Sequence, residues 1–360
     1  MSLTETTEPE LDADDGGAMT SGSLAGLPMV GIFVGAVVLG ALSWLPFGGV
    51  NWARWVMVTL LAYVIGTLII SRIVESPRQA TDRFATALMT SAFLLVLLPL
   101  VSVVWTVVER GSQRFDWAFY TETMRGVIGE GGGGYHAIIG TLIITALTAV
   151  FAIPFGLFTA IYLVEYANGG RFSKIVTGLV DVMTGIPSIV AGLFAYALFV
   201  LIDGPGHRSG LAGAVALTLL MTPVVVRTSE EMLRLVPNEL REASFALGVS
   251  RWRTIVKVVL PTAIAGILTG IVLAIARVIG ETAPLLLTVG ITAAVNKNPL
   301  SGRMATLPVF SYNSYKFPTL PPEASIDRAW SAALTLVLIV MILSVTARIL
   351  SFILNPKGLR

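Results

Sequence analysis

The sequence has no cysteine and only two histidines, His136 and His207. Disulfide bonds and thiolate metal sites are therefore excluded, and a histidine-rich metal centre is not expected. Charge is also scarce, because Asp, Glu, Lys and Arg together make up 13% of the 360 residues. A soluble domain carries about 25% charged residues, so this chain cannot cover a water-facing surface. With 55% hydrophobic residues and a mean hydropathy of +0.82, the composition predicts an integral membrane protein.

Catalytic motifs are missing as well. No G-x-x-x-x-G-K-[ST] loop occurs, so the chain is not expected to hydrolyse ATP by itself. The sequence shows neither a cluster of metal ligands nor a Ser/His/Asp set at suggestive positions. The net charge of +2 is small and gives no reason to expect a nucleic-acid partner. We therefore expect a protein that is not an enzyme and binds no cofactor, in contact with membrane lipid.

Apolar stretches of roughly 20 residues, the length that crosses a bilayer, predict an all-α bundle of transmembrane helices. Eight such stretches occur, at about 28–47, 53–71, 84–108, 137–163, 175–202, 211–227, 259–280 and 330–352. Internal prolines such as Pro99, Pro154 and Pro223 are compatible with bundled membrane helices. The sequence thus predicts a polytopic membrane protein.

The first 27 residues contain six acidic residues and no Lys or Arg, which predicts a disordered tail. The tail lacks the basic region of a cleavable signal peptide, so the first span should be retained. Lys and Arg favour the predicted inside loops, above all 227–258, and this bias predicts cytoplasmic N- and C-termini. The outside segments are then 109–136 and 281–329.

We expect structural roles, and no ligand site, for the glycine-rich stretches. The four glycines at 131–134 lack the strand-to-helix context and the lysine of a phosphate-binding loop, so we expect a flexible connector there. The G-x-x-x-G spacings at 31–35 and 266–270 are expected to let helices pack closely.

The segment 227–261 reads as short helices outside the bilayer. Ser229, Asn238 and Ser250 are candidate N-caps. Gly248 is placed to end a helix in the left-handed conformation. Leu240, Ala243 and Leu247 would then share one helix face.

Two interpretations of this segment differ in what it contacts. A basic amphipathic hairpin could rest on anionic lipid. The small residues Ala243, Ser244 and Ala246 anchor poorly in lipid but give a flat face suited to the groove of another protein. We favour docking to a protein partner.

The same residues resemble a known loop. Glu242-Ala243-Ser244, three residues, Gly248, nine residues, Val258, one residue and Leu260-Pro261 are similar to the EAA loop of bacterial ABC importer permeases. The family pattern is E-A-A, three residues, G, nine residues, I-x-L-P, so the departures are Ser244 and Val258. The resemblance implies a MetI-like permease fold, in which Leu240, Glu242, Ala243 and Gly248 mark the coupling element that sits in a groove of the ATP-binding subunit.

Further stretches narrow the resemblance. "IYLVEYA" (161–167), "GIPSIVAGLFAYALFV" (185–200), "GILTGIVLAIARVIGETAPLL" (266–286) and "ATLPVF" (305–310) resemble the PstA family of phosphate-importer permeases over roughly 84–352. The likeness implies a six-helix core within 72–360, preceded by two additional helices at 28–71. It also implies three partners: a PstC-like permease subunit, the ATP-using cassette subunit PstB and the extracytoplasmic phosphate-binding protein PstS.

Arg277 and Glu281 lie in an otherwise almost entirely apolar stretch. At i and i+4 they would share one face of a continuous helix and could neutralise each other as a structural pair. Alternatively Arg277 contacts a passing anion, since a guanidinium matches phosphate oxygens and stays charged. Glu281 would then weaken the binding, and Thr282 would add a hydroxyl. The family resemblance favours the second interpretation, with phosphate as the substrate.

Other charges and other functions stay open. Asp181 is expected to be an interfacial acid paired with a nearby base such as Lys174, and Glu165 an ordinary interface charge. A permease for another oxyanion, sulfate or molybdate, is the nearest alternative, because Arg277 does not distinguish these ions by charge. A secondary transporter is a more distant one, since it predicts inverted repeats and none is evident.

Overall fold

The computed structural model describes residues 27–43, 52–75, 77–167 and 169–354. Within these ranges the chain forms helices and loops but no strand. The predicted disordered tail lies outside them, apart from its last residue. Six helices are long and apolar enough to cross a membrane, and a bent helix pair adds a seventh candidate. The predicted all-α, multi-pass architecture is confirmed.

The helices fall into two compact units, residues 1–103 and 104–360. The first unit contains α1 (Leu27–Leu42), α2 (Trp52–Val74) and most of α3 (Pro77–Gly111). The second unit contains the end of α3 and eleven further helices: α4 (Trp117–Thr121), α5 (Tyr135–Ile161), α6 (Arg171–Thr184), α7 (Ser188–Asp203), α8 (Gly210–Arg234), α9 (Asn238–Ala246), α10 (Arg251–Thr254), α11 (Leu260–Val278), α12 (Ala283–Thr288), α13 (Leu307–Lys316) and α14 (Pro322–Leu354). Single π-helical turns, Tyr162–Tyr166 and Ile255–Val259, follow α5 and α10.

In the first unit, a buried carboxylate fixes the turn between α2 and α3. Ser71 Oγ donates to Glu75 Oε2 at 2.6 Å, and Arg83 donates to both Glu75 oxygens at 2.7 and 2.9 Å. The Glu75 side chain is 1% exposed. Most of the segment 72–83, which the sequence predicts to be a loop, is helical. Helix α3 begins at Pro77, because proline at the first helical position loses no hydrogen bond through its missing N–H.

Helix α8 is the centre of the second unit and packs against α5, α7 and α11. Its buried residues include Leu217, Met221 and Val225. Two glycines of α11 permit the close approach: a Cβ on Gly266 would collide with Met232, and one on Gly270 would lie 2.7 Å from Thr228. The predicted packing role of 266–270 is confirmed.

The other G-x-x-x-G pair does not have that role among the described residues. A Cβ on Gly31 or Gly35 would meet nothing within 4 Å. The close approach of α1 to α2 occurs instead at Gly40, against Thr59 and Trp55. Spacing alone does not say which glycines face a neighbouring helix, because that depends on the rotation of the helix.

The predicted span 175–202 is broken. Helices α6 and α7 meet at a bend of 107°, and Gly185, Ile186 and Pro187 separate them. Pro187 directly precedes α7 and has no N–H to continue α6. The predicted loop 281–329 is also partly helical, since it contains α12 and α13.

The glycine run 131–134 is packed, so the prediction of a flexible connector is wrong. A Cβ on Gly133 would lie 2.5 Å from the Phe119 carbonyl oxygen, and one on Gly134 would lie 2.7 Å from the Phe119 ring. The buried Arg328 donates to the carbonyls of Gly129 and Gly131 at 2.8 and 2.9 Å. The glycines allow the backbone to pack closely against Phe119, and the hydrogen bonds from Arg328 stabilise that arrangement.

Replacing Gly270 tests the packing of α8 on α11. We expect Gly270→Leu to lower the free energy of unfolding by about 1–3 kcal/mol, the usual cost of overpacking. The measurement is the denaturation midpoint in mild detergent. Gly178→Leu is the matched control, because a Cβ at this glycine of α6 meets nothing within 4 Å. Equal stability of the two variants would contradict the close helix contact.

Candidate functional site

Helix α9 is a short, exposed helix that projects between α8 and α10. Its end forms a Schellman motif: the Gly248 N–H donates to Phe245 O at 2.9 Å and the Val249 N–H donates to Ser244 O at 3.2 Å. Gly248 has φ +74, a conformation that glycine adopts at least cost. The predicted left-handed end of this helix is confirmed. Nothing lies within 4 Å of a Cβ at Gly248.

The structure brings the predicted docking residues onto one exposed element. Leu240, Glu242, Ala243 and Gly248 are all exposed, and Leu247 is 83% exposed. This surface is free within the described part of the chain, as a docking surface must be. It comprises residues 240–248 and is called the docking knob below.

Two of the predicted N-caps differ from the structure. Ser229 is buried within α8, because that helix continues to Arg234 rather than ending near 227. Pro237, not Asn238, is the N-cap of α9. Ser250 is the N-cap of α10, as predicted, although its side chain makes no capping hydrogen bond.

Arg241 attaches α9 to the rest of the bundle. Its Nε and Nη2 donate to Glu165 Oε1 at 3.1 and 2.8 Å. Further hydrogen bonds run to the carbonyls of Leu233 and Val236 and to Asn238 Oδ1, at 3.0, 2.6 and 3.2 Å. The side chains of Arg241 and Glu165 are 13% and 6% exposed. The expectation that Glu165 is an ordinary interface charge is wrong, because it fixes the docking knob to the end of α5.

A hydroxyl pair joins α9 to α10. Ser244 Oγ and Thr254 Oγ1 lie 2.8 Å apart, and both residues are buried. Position 244 is where the sequence departs from the E-A-A pattern. Sequence reasoning missed this contact, because nothing in the spacing relates Ser244 to Thr254.

A row of ion pairs links α6 to α8. Arg227 contacts Asp181 and also donates to Glu230 at 3.1 Å. Glu230 accepts from Arg234 at 2.7 Å. Asp181 is therefore paired, as expected, but with Arg227 rather than with Lys174. The partner comes from another helix, which sequence proximity could not indicate.

Arg277 and Glu281 do not lie in the same helix. Helix α11 ends at Val278, and the chain turns at Ile279 and Gly280 before α12 begins at Ala283. Arg277 and Glu281 therefore do not lie on one face of a continuous helix, although they are four residues apart. Arg277 is exposed, whereas Glu281 and Thr282 are half-buried. No ion pair joins Arg277 to Glu281 within the described chain.

The hydroxyl of Thr282 makes one weak contact, to the Gly280 carbonyl at 3.5 Å. Pro284 sits in the first turn of α12. The break between α11 and α12 lies before this proline, since α11 ends at Val278, six residues before Pro284. The break leaves Arg277 at the end of a helix, with its guanidinium available to an anion.

Comparison with known proteins gives the family. Residues 152–358 match the binding-protein-dependent transport system inner membrane component. A Mycobacterium tuberculosis protein named phosphate transport system permease protein PstA 1 is 46% identical over 285 residues, covering 78% of this chain and 91% of its own. The chain belongs to the PstA family.

Other relatives agree with this family membership. A PstA permease of Pasteurella multocida is 38% identical over 265 residues, covering 73% of this chain and 92% of its own. An inward-facing crystal structure of the MetNI methionine ABC transporter is 19% identical with a TM-score of 0.50, covering 61% of this chain and 95% of its own. That structural likeness confirms the MetI-like permease fold of this PstA-family chain.

Removing Arg241 tests the attachment of the docking knob. We expect Arg241→Gln to lower the free energy of unfolding by about 3–5 kcal/mol, because it leaves the buried Glu165 carboxylate without its partner. The measurement is the denaturation midpoint in detergent.

The double variant Arg241→Gln/Glu165→Gln serves as the matched control. It should recover part of the loss, since no charge is then buried alone. If Arg241→Gln unfolds at the wild-type midpoint, the ion pair does not hold α9.

Proposed function

We propose that this chain is the membrane permease subunit of an ATP-driven importer of inorganic phosphate. The observation that carries the proposal is the exposed docking knob of an ABC permease fold, in a chain whose relatives are named phosphate transport permeases. A second, PstC-like permease subunit would complete the translocation pathway. ATP would be hydrolysed by a separate PstB-type cassette subunit, and this chain would bind no cofactor.

The docking knob would contact the cassette. Its exposed small residues and Leu240 fit a groove of another protein. Because Arg241 ties α9 to Glu165, movement of the cassette would be transmitted to α5 as rigid-body movement of a packed element. An extracytoplasmic phosphate-binding protein of the PstS type would deliver the substrate to the opposite side, with both termini of this chain in the cytoplasm.

Phosphate would pass Arg277. The exposed guanidinium at the end of α11 has no carboxylate partner in the described chain. It can donate two hydrogen bonds to one tetrahedral anion. Glu281, three residues beyond the last residue of α11, would keep the anion from binding too tightly for release, and the Thr282 hydroxyl would offer a further donor.

Substitution of Arg277 tests the pathway and the substrate together. In cells lacking the native gene, the wild-type chain should restore uptake of labelled phosphate but not of labelled sulfate. Arg277→Gln should abolish phosphate uptake, because the fixed positive charge is lost. The variant should still copurify with the cassette.

Arg277→Lys is the conservative control, and it should retain part of the uptake. Sulfate uptake by the wild type would assign the chain to another oxyanion importer. Normal phosphate uptake by Arg277→Gln would remove this residue from the pathway.

Gly248 tests the docking role. We expect Gly248→Val to reduce transport-coupled ATP hydrolysis about tenfold or more, because a β-branched residue at φ +74 distorts the end of α9. The measurement is phosphate transported and ATP hydrolysed by the reconstituted transporter. Gly169→Val is the matched control, since Gly169 likewise has a positive φ, of +71, and nothing within 4 Å of a Cβ at that position. Equal loss in both variants would indicate general destabilisation and contradict a specific role of the knob.

A further inference from the structure

Two arginine side chains converge on Gly290, the residue two positions after the end of α12. A Cβ at Gly290 would lie 3.0 Å from Arg208 Cδ, 3.3 Å from Arg208 Nη1 and 3.3 Å from Arg303 Cδ. Gly290 has φ +74 and is buried. The absence of a side chain at this position is what lets both arginines lie against the backbone.

The backbone around both arginines is held in place. Arg208 directly precedes Ser209, the N-cap of α8, whose Oγ accepts from the Ala212 N–H at 3.2 Å. Two hydrogen bonds connect this turn with the end of α12 and the loop after it: the Ser209 N–H donates to Thr288 O at 3.1 Å and the Leu211 N–H donates to Pro299 O at 2.7 Å. Two more lie within that loop: the Met304 N–H donates to Val289 O at 3.1 Å and Asn296 Nδ2 donates to Arg303 O at 3.1 Å. The two arginines are therefore presented by fixed segments.

The chain segments that carry these two arginines contain no carboxylate. Neither Arg208 nor Arg303 has an ion-pair partner within the described chain. Segments 204–229 and 282–322 contain no Asp or Glu. The acid that precedes the first segment, Asp203, lies 3.6 Å from His207. Because both side chains pack against one backbone residue, two positive charges are carried by the same small region, and an anion bound there would be stabilised by both.

We propose that Arg208 and Arg303 form a receiving site for a tetrahedral oxyanion, phosphate above all, ahead of Arg277. Arg208 is half-buried and Arg303 exposed, so the site is open to solvent. Helix α12 has six residues and spans about 9 Å between the Glu281–Thr282 turn and Gly290. An anion released at the arginine pair is then close to the next cation along the path. This site rests on the proposed function of the chain as a phosphate importer.

The test uses the whole transporter in proteoliposomes, with its binding protein and labelled inorganic phosphate. In Arg208→Gln/Arg303→Gln, phosphate transported per ATP hydrolysed should fall about tenfold, which corresponds to about 1.4 kcal/mol of lost anion binding. Without the receiving site, phosphate released by the binding protein escapes outward while the cassettes complete their cycle. Stimulation of ATP hydrolysis by the binding protein should stay at the wild-type level.

Two controls separate the possible results. Lys316→Gln removes an exposed cation from the same acid-free segment and should leave the ratio unchanged. Arg208→Lys/Arg303→Lys should retain most of the ratio, because both charges remain. An unchanged ratio in the double glutamine variant would overturn the site. Loss of binding-protein stimulation would overturn it as well and assign the arginines to protein docking. Failure of the wild type to move phosphate would instead overturn the proposed function.

Discussion

The contact between Arg241 and Glu165 is the constraint on which the arrangement of the docking knob depends. All five donors of the Arg241 guanidinium are used, for Glu165, two carbonyls and Asn238. The acid stands at the end of the helix preceding α6, and the base stands in the middle of α9. A buried ion pair of this kind is costly to break from one side. The docking knob therefore cannot tilt without moving the end of α5.

The charged side chains of the second unit differ in whether an ion pair neutralises them. At the end that carries α9, Asp181, Arg227, Glu230 and Arg234 form a connected row of ion pairs. Such pairing neutralises charges where helices must stay packed. Arg277, Arg208 and Arg303, in contrast, have no carboxylate partner in the described chain. Arg277 lies in the last turn of α11 and Arg208 precedes α8, at the helix ends remote from α9, and Arg277 and Arg303 are exposed, so these charges remain accessible to solvent.

The helical type and the positions of the apolar segments could be predicted from the sequence, because twenty apolar residues have few alternatives in a membrane. The number of spans was less predictable: of the eight predicted stretches, six are helices long enough to span within the described residues, 175–202 is a bent pair, and 28–47 contains only a shorter helix. Their interruptions could not be predicted in the same way. The span 175–202 has the composition of one helix, yet Gly185 and Pro187 divide it at a bend of 107°. Likewise, the expectation that Arg277 and Glu281 share one helix face assumed a helix that continues to residue 281, whereas α11 ends at Val278. Hydropathy measures how apolar a segment is and carries little information about where its axis turns.

Contacts between distant segments were the second kind of feature beyond sequence reasoning. The run 131–134 looked like a connector because its four glycines have no side chains to suggest a partner. Its partners are Phe119 and the buried Arg328, and neither is indicated by local pattern.

Position 244 shows how a departure from a family pattern can be compensated elsewhere in the chain. An alanine there would pack against α10 without a polar group, whereas Ser244 brings a hydroxyl into a buried site. An unpaired buried hydroxyl would be unfavourable, but Thr254 supplies a partner at 2.8 Å and also donates to the Ser250 carbonyl at 3.3 Å. Ser244 of the docking knob is therefore tied to a residue of the following helix, and the two positions form one packing unit that joins α9 to α10.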